Sequence, residues 1–269
     1  MHRIALRRPE GCRWVVMVIS ACVVTLAAGC AAVPGKRDPH DPWERMNRAT
    51  YRFNDALDRG VVKPVAKGYK KIVPHPIRTG IANVLDNAGY TTTIVNDLLQ
   101  AKFKACASDT GRFLLNSTAG VAGIFDPASS AGLAKNDEDF GQTLGYWGVH
   151  PGPYLVLPLL GPATVRDTIS MYPDSQTDLK SLPQDIWVDI GLFGLSRLGT
   201  RVELLSIDET LKNAYDPYAF VRNAYLQHRE YEVRDGNVPE EPADEAPVDE
   251  ENPQSPPTDN AASSGSATP

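Results

Sequence analysis

Residues 140–165 read FGQTLGYWGVHPGPYLVLPLLGPATV, and these 26 residues contain no Asp, Glu, Lys or Arg. An uncharged run of this length is the right size for a membrane helix, but Pro151, Pro153, Pro158 and Pro162 forbid a continuous one. Gly141, Gly145, Gly148, Gly152 and Gly161 add backbone freedom. In water the segment would expose Tyr146, Trp147, Tyr154 and several leucines. In bare lipid its unpaired backbone groups would be costly, because irregular backbone at membrane depth is tolerated only when buried in protein or lining a cavity. Two destinations remain open on the residues alone: a buried loop in a soluble core, or the wall of a cavity in a membrane-associated protein.

The flanks are helical. Asp41-Pro42 gives a helix start, with Asp41 as candidate N-cap and Pro42 at the first position. From Trp43 to Arg59, Met46, Ala49, Thr50, Phe53, Ala56 and Leu57 share one face at helical spacing, opposite a charged face. Further helices are expected over 64–73, 76–88, 92–100 and 102–119. Alternating strand-like patterns are scarce, so the fold class is mainly α. On a helical wheel, residues 184–205 are apolar around most of the circumference, which means burial or contact with lipid. Three glycines and five charges, Asp189 and Arg197 among them well inside the run, exclude a membrane span there. Asp216-Pro217 starts a last helix, with Tyr218, Val221, Tyr225 and His228 on one face.

The chain divides into four parts. Residues 1–29 read as a signal peptide: Arg3, Arg7, Arg8 and Arg13 precede an apolar run from Trp14 to Ala28 that is too short to span a bilayer. The run ends Leu26-Ala27-Ala28-Gly29-Cys30, a lipobox-like site, which makes Cys30 the candidate for lipidation. Residues 30–40 form a tether, 41–234 the folded domain and 235–269 an acidic tail. From Asn237 onward the tail holds eight Asp or Glu, seven Pro and no Lys or Arg, too little apolar surface to offset chain entropy. The leader carries +3 and the tail −8 of the whole-chain −6, which leaves −1 for the body. A near-neutral body argues against a nucleic-acid partner. After processing at Cys30 only Cys106 remains, so the domain rests on burial without a disulfide.

The chain resembles the MlaA/VacJ lipoprotein family. The strings that carry the resemblance are Asp41-Pro42-Trp43-Glu44, Tyr51-Arg52-Phe53-Asn54, Val95-Asn96-Asp97-Leu98-Leu99-Gln100 and Arg112-Phe113-Leu114-Leu115-Asn116. They continue with GVAGIFDP over 120–127, EDFGQTLG over 138–145, Gly152-Pro153-Tyr154, Arg166-Asp167 and Asp216-Pro217-Tyr218. Arg45-Met46 and Ala88-Gly89-Tyr90 depart from the usual pattern. The resemblance implies a ring-like helical domain embedded in the outer membrane, anchored on the periplasmic, inner-leaflet side, with the Gly/Pro-rich irregular segment lining a channel. It implies phospholipid as cargo and a trimeric porin as partner. It also implies a periplasmic lipid carrier linked to an inner-membrane ABC transporter, and removal of phospholipid from the outer leaflet. The candidate channel residues are Gly141, Tyr146, Trp147, Gly148, Gly152, Tyr154 and Arg166. Arg166 has the alternative role of an ion pair within its own helix.

Two rival readings stand beside this one, a lipid-anchored hydrolase and a structural or adhesin-type lipoprotein. The sequence holds no Gly-x-Ser-x-Gly elbow and no His-Glu-x-x-His. Asp137-Glu138-Asp139 reads as a solvated helix start rather than paired catalytic carboxylates. No enzymatic activity, cofactor or metal is expected.

Overall fold

The computed structural model describes residues 38–181 and 185–238. The signal segment, Cys30 and the tail from residue 239 lie outside them. Helix α1 (Glu44–Leu57) passes through one wide turn, Asp58–Val62, straight into α2 (Lys63–Ile72). Pro64 sits in the first turn of α2, directly after this wide turn. The two helices expected over 76–88 and 92–100 are a single helix, α3 (His75–Leu99). Ala88-Gly89-Tyr90 does not break it: a lone glycine costs only about 1 kcal/mol in a helix, and Tyr90 is held by the Arg112 Nε, which donates to its hydroxyl at 2.8 Å. Antiparallel to α3 runs α4 (Phe103–Thr118), followed by the short α5 (Pro127–Ser130).

Residues 140–165 are more regular than their composition suggests. They contain α6 (Phe140–Tyr146) and an antiparallel hairpin, β1 (Tyr154–Leu157) and β2 (Gly161–Thr164). Pro151 and Pro153 precede β1, Pro158 lies in the turn, and Pro162 is within β2 opposite Val156. Leu159 and Gly161 take positive φ of 66° and 93° to close the turn. A two-stranded ribbon leaves one edge of each strand unpaired, and α1 covers that edge of β1. Asn47 donates to the Tyr154 carbonyl at 3.0 Å and accepts from the Val156 N–H at 2.9 Å. Two turns along α1, Asn54 does the same for the Leu157 carbonyl and the Leu159 N–H, each at 2.9 Å. These two amides satisfy backbone groups that neither helix nor sheet reaches.

After the hairpin come α7 (Val165–Thr177), α8 (Ile186–Glu203), α9 (Asp208–Asn213) and α10 (Pro217–Val233). Asp139, Thr164, Asp185 and Asp216 cap α6, α7, α8 and α10 by accepting from backbone N–H groups. Asp41 does not cap α1, contrary to the sequence expectation. The helix starts after Trp43, and the buried Asp41 carboxylate instead accepts from Asn47 at 2.8 Å and from the Tyr218 hydroxyl, with Arg222 beside it at 3.3 Å. A buried charge needs several strong donors, and α10 supplies them where a helix end would not. The aromatic core is small: Tyr154, Val156 and Tyr218, with Tyr51, Tyr225 and Leu226 packed around them.

Candidate functional site

The distribution of polarity is inverted relative to a soluble domain. Among the described residues nine hydrophobic side chains are buried, against twenty polar or charged ones, including Asp97, Asp109, Arg112, Glu138, Asp167 and Arg229. Large apolar side chains lie outside. On α8, Ile186, Trp187, Ile190 and Phe193 are 63%, 78%, 53% and 44% exposed, and Val202 is the one buried residue. This helix is therefore not buried by the described residues of its own chain. Ile72, Ile77, Phe103, Phe125, Ile169 and Tyr172 are also exposed. A soluble monomer does not present apolar surface on this scale. No helix of the described residues is long and apolar enough to cross a membrane.

The polar interior is organised by charge. Arg229 on α10 bridges Asp167 at 3.0 Å, Asp139 at 2.6 Å and Glu232 at 3.0 Å. Asp167 also accepts from Tyr225 at 2.6 Å and from Thr164 at 2.7 Å. Burial alone would raise its carboxyl, but Arg229 and these hydroxyls hold it below the usual carboxylate range. Glu138 is buried, not solvated, and accepts from Gln100 at 2.7 Å and Lys102 at 2.8 Å. Its neighbour Asp139 is the helix start that the acidic run suggested.

Between α3 and α4 two carboxylates face each other. Burial, reinforced by Asp109, raises the Asp97 carboxyl to about 7, and Asp109 is raised as well. Neither Asp97 oxygen has a hydrogen-bond partner among the described residues. Asp174 rises to about 6, again chiefly by burial. A carboxyl raised above its unfolded value stabilises fully below that value and loses the contribution as pH climbs through the folded one. The thermal midpoint should therefore fall between about pH 4 and 8, and Asp97→Asn should flatten that decline. A slope unchanged in Asp97→Asn would count against a raised Asp97 carboxyl.

One cleft stands out, about 390 Å³ in volume, between the start of α3, the C-terminal part of α8 and the loop at Lys135. Ile81, Leu85, Leu195 and Val202 make its apolar wall, and Arg78, Asp86, Lys135 and Glu203 bring charge to it. Lys135 and Asp86 pair at 2.6 Å.

The cleft is lined by none of the residues singled out from the sequence. Gly141 is buried in α6, where an added Cβ would meet Arg229 Nη2 at 2.5 Å and Asp167 Oδ1 at 2.8 Å. Tyr154 is in the aromatic core. Arg166 is buried, 3.5 Å from Asp167 on its own helix, and donates to the Val149 carbonyl at 3.2 Å. Tyr146 and Trp147 are about half exposed; the Lys102 ammonium lies 5.8 Å from the Tyr146 ring centre, and the Trp147 indole N–H reaches the Leu99 carbonyl at 3.2 Å. Gly148 and Gly152 are exposed with positive φ of 87° and 69°. Sequence reasoning missed Arg78, Glu203 and Arg229. Arg229 was legible only as a charge one residue beyond the apolar face of α10. Cys106 is half-buried, and among the described residues no group of three His, Cys, Asp or Glu is placed to hold a metal.

The MlaA lipoprotein family matches residues 39–232, from ahead of α1 to the last turn of α10. The chain belongs to the MlaA family. It is 34% identical over 223 residues to the intermembrane phospholipid transport system lipoprotein MlaA of Escherichia coli K12, covering 80% of this chain and 87% of that one. The protein of the same description from Haemophilus influenzae is 31% identical over 237 residues, covering 83% and 91%. A solved structure concerned with the maintenance of bacterial outer membrane lipid asymmetry superposes with a TM-score of 0.68 at 34% identity. The match covers 73% of this chain and all of that one. The inverted burial is therefore a feature of an MlaA-family fold.

Proposed function

We propose that this MlaA-family chain is an outer-membrane lipoprotein, anchored through Cys30 on the periplasmic, inner-leaflet side. It withdraws phospholipids that have strayed into the outer leaflet. It passes them to a periplasmic carrier, for retrograde transport by an inner-membrane ABC transporter, and so keeps the outer membrane asymmetric. It works beside a trimeric porin and performs no chemistry on the lipid. The observation that carries this reading is the pairing of an apolar exterior with a polar, charge-balanced interior. Apolar side chains facing acyl chains lose nothing by being exposed. A polar interior gives a headgroup somewhere to go that the hydrocarbon does not. The lipoprotein relatives point the same way, being described as parts of an intermembrane phospholipid transport system.

The decisive experiment compares outer-leaflet phospholipid in cells with and without the gene. Accumulation on deletion, reversed by the wild-type gene, is the expected result; an unchanged outer leaflet leaves only a structural or adhesin-type lipoprotein. Cys30→Ser should lose labelling by palmitate and fail to complement, because stable anchoring rests on several acyl chains. Full labelling of that variant would place the anchor elsewhere.

A further inference from the structure

The buried and half-buried arginines of this fold are paired almost throughout. Arg48 is held by Asp216 at 2.6 Å, Arg112 by Asp126 at 2.9 Å and Arg201 by Asp58 at 2.7 Å. Arg222 sits against Asp38 at 3.0 Å, and Arg229 has three carboxylates. Arg78 differs. It is half-buried in the cleft wall, its Nε is shielded from solvent without a hydrogen-bond partner, and no described carboxylate pairs with its guanidinium. On α8, Glu203 lines the same cleft and likewise pairs with no described cation. The two do not pair with each other. The cleft's other two charges, Lys135 and Asp86, neutralise one another. His75 and Tyr69 complete the titratable lining, the His75 Nδ1 lying 3.3 Å from the Thr79 hydroxyl.

A cleft that offers one unpaired fork of donors, one unpaired carboxylate and an apolar wall is complementary to a ligand with one anion, one cation and an apolar stem. We propose that it binds the headgroup of a zwitterionic phospholipid of the phosphatidylethanolamine type. Arg78 receives the phosphodiester and Glu203 the ammonium. The guanidinium presents two N–H groups to two phosphate oxygens, a geometry a lysine cannot reproduce. Glu203 accepts from the ammonium, so the site discriminates by headgroup: an anionic lipid such as phosphatidylglycerol meets Arg78 equally well but leaves Glu203 unmatched. Ile81, Leu85, Leu195 and Val202 cover the first carbons of the glycerol and acyl chains. This assignment rests on the reading of the chain as a phospholipid handler, and it adds which residues hold the lipid and which lipid they prefer.

The test uses the full lipidated chain in detergent micelles, with phosphatidylethanolamine and phosphatidylglycerol titrated separately and bound lipid counted by native mass spectrometry. Arg78→Gln should weaken both lipids about tenfold, the loss of one charge-assisted contact. Arg78→Lys should recover part of that. Glu203→Gln should weaken phosphatidylethanolamine alone, shifting the preference between the two lipids about tenfold toward phosphatidylglycerol. Glycerophosphoethanolamine, which carries the headgroup without acyl chains, should bind more weakly than the lipid. Thermal midpoints within a few degrees of wild type confirm that each variant is folded. If wild type binds both lipids but neither substitution changes affinity or preference, the site is wrong while lipid handling stands. If the soluble headgroup binds as well as the lipid, the cleft is a phosphodiester site and not a lipid site. If wild type binds no phospholipid and its deletion leaves the outer leaflet unchanged, the broader reading fails with it.

Discussion

Arg112→Ala should lower stability by about 3–5 kcal/mol, which for a domain of this size is a drop of about 6–20 °C in thermal midpoint. Arg112 is 1% exposed on α4, yet all its donors are used. Its Nε reaches Tyr90 on α3 at 2.8 Å, its Nη2 grips both Asp126 oxygens at 3.1 and 2.9 Å, and its Nη1 reaches Ser129 and the Leu133 carbonyl. One side chain thus ties α3, α4 and the loop around α5 together. Asp126 feels burial, which would raise it, but hydrogen bonds from Ser129 and Asn116 and the charge of Arg112 bring it down to about 2. Truncation leaves a cavity, an unanswered tyrosine hydroxyl and a carboxylate without its cation. The Asp126 contribution is present above the unfolded carboxyl range and is lost as pH falls toward 2. The variant should therefore also lose part of the acid limb of its stability curve. Arg112→Lys keeps the charge but not the fork, so it should recover only part of the loss. A midpoint within two or so degrees of wild type for Arg112→Ala would refute this account.

Two helical glycines should respond to alanine with opposite signs. At Gly141 the new methyl meets Arg229 and Asp167 within 3 Å, and Ser170 Oγ at 3.0 Å. A long arginine would ordinarily swing aside at little cost. Here its guanidinium is pinned by Asp139, Asp167 and Glu232, so it moves only by breaking buried ion pairs. Overpacking of this kind costs about 1–3 kcal/mol, and a buried arginine left short of a partner adds to it. Gly191 on α8 is exposed, and nothing lies within 4 Å of an added Cβ. Gly191→Ala should stabilise by about 0.5–1 kcal/mol, since alanine has less backbone freedom to lose. Denaturation of the two variants in the same detergent reads the difference; equal effects would show that the crowding at Gly141 is relieved cheaply.

Much of the fold is legible along the chain because helix starts are local. Asp139, Thr164 and Asp216 each reach an N–H two or three residues away, and the side chain and its target are fixed by the same few backbone angles. Asp41 shows where this stops. It carries the same start signal, but Tyr218, 177 residues on, competes for the carboxylate and wins. The hairpin is hidden for a similar reason. Its strands are four residues long, and the outer backbone groups of β1 are answered by Asn47 and Asn54, more than 100 residues earlier.

By itself the sequence determined that the domain is mainly helical, that no proline-bearing stretch of 140–165 is a membrane helix, and that the 41–234 strings carry the MlaA pattern. These follow from local backbone preference and from short spacings, which no distant contact alters. Only the tertiary structure decided which way the amphipathic helices face. Periodicity shows that a helix has an apolar side, and it is silent on whether that side meets a core or a bilayer. Here the polar stripes of α3, α4, α7 and α10 meet inside because Arg112 and Arg229 find their carboxylates on other elements, and the apolar stripes are left outside. The cleft follows from the same fact. Arg78 and Glu203 are 125 residues apart and share no local pattern; they become one candidate site because α3 and α8 pack against each other.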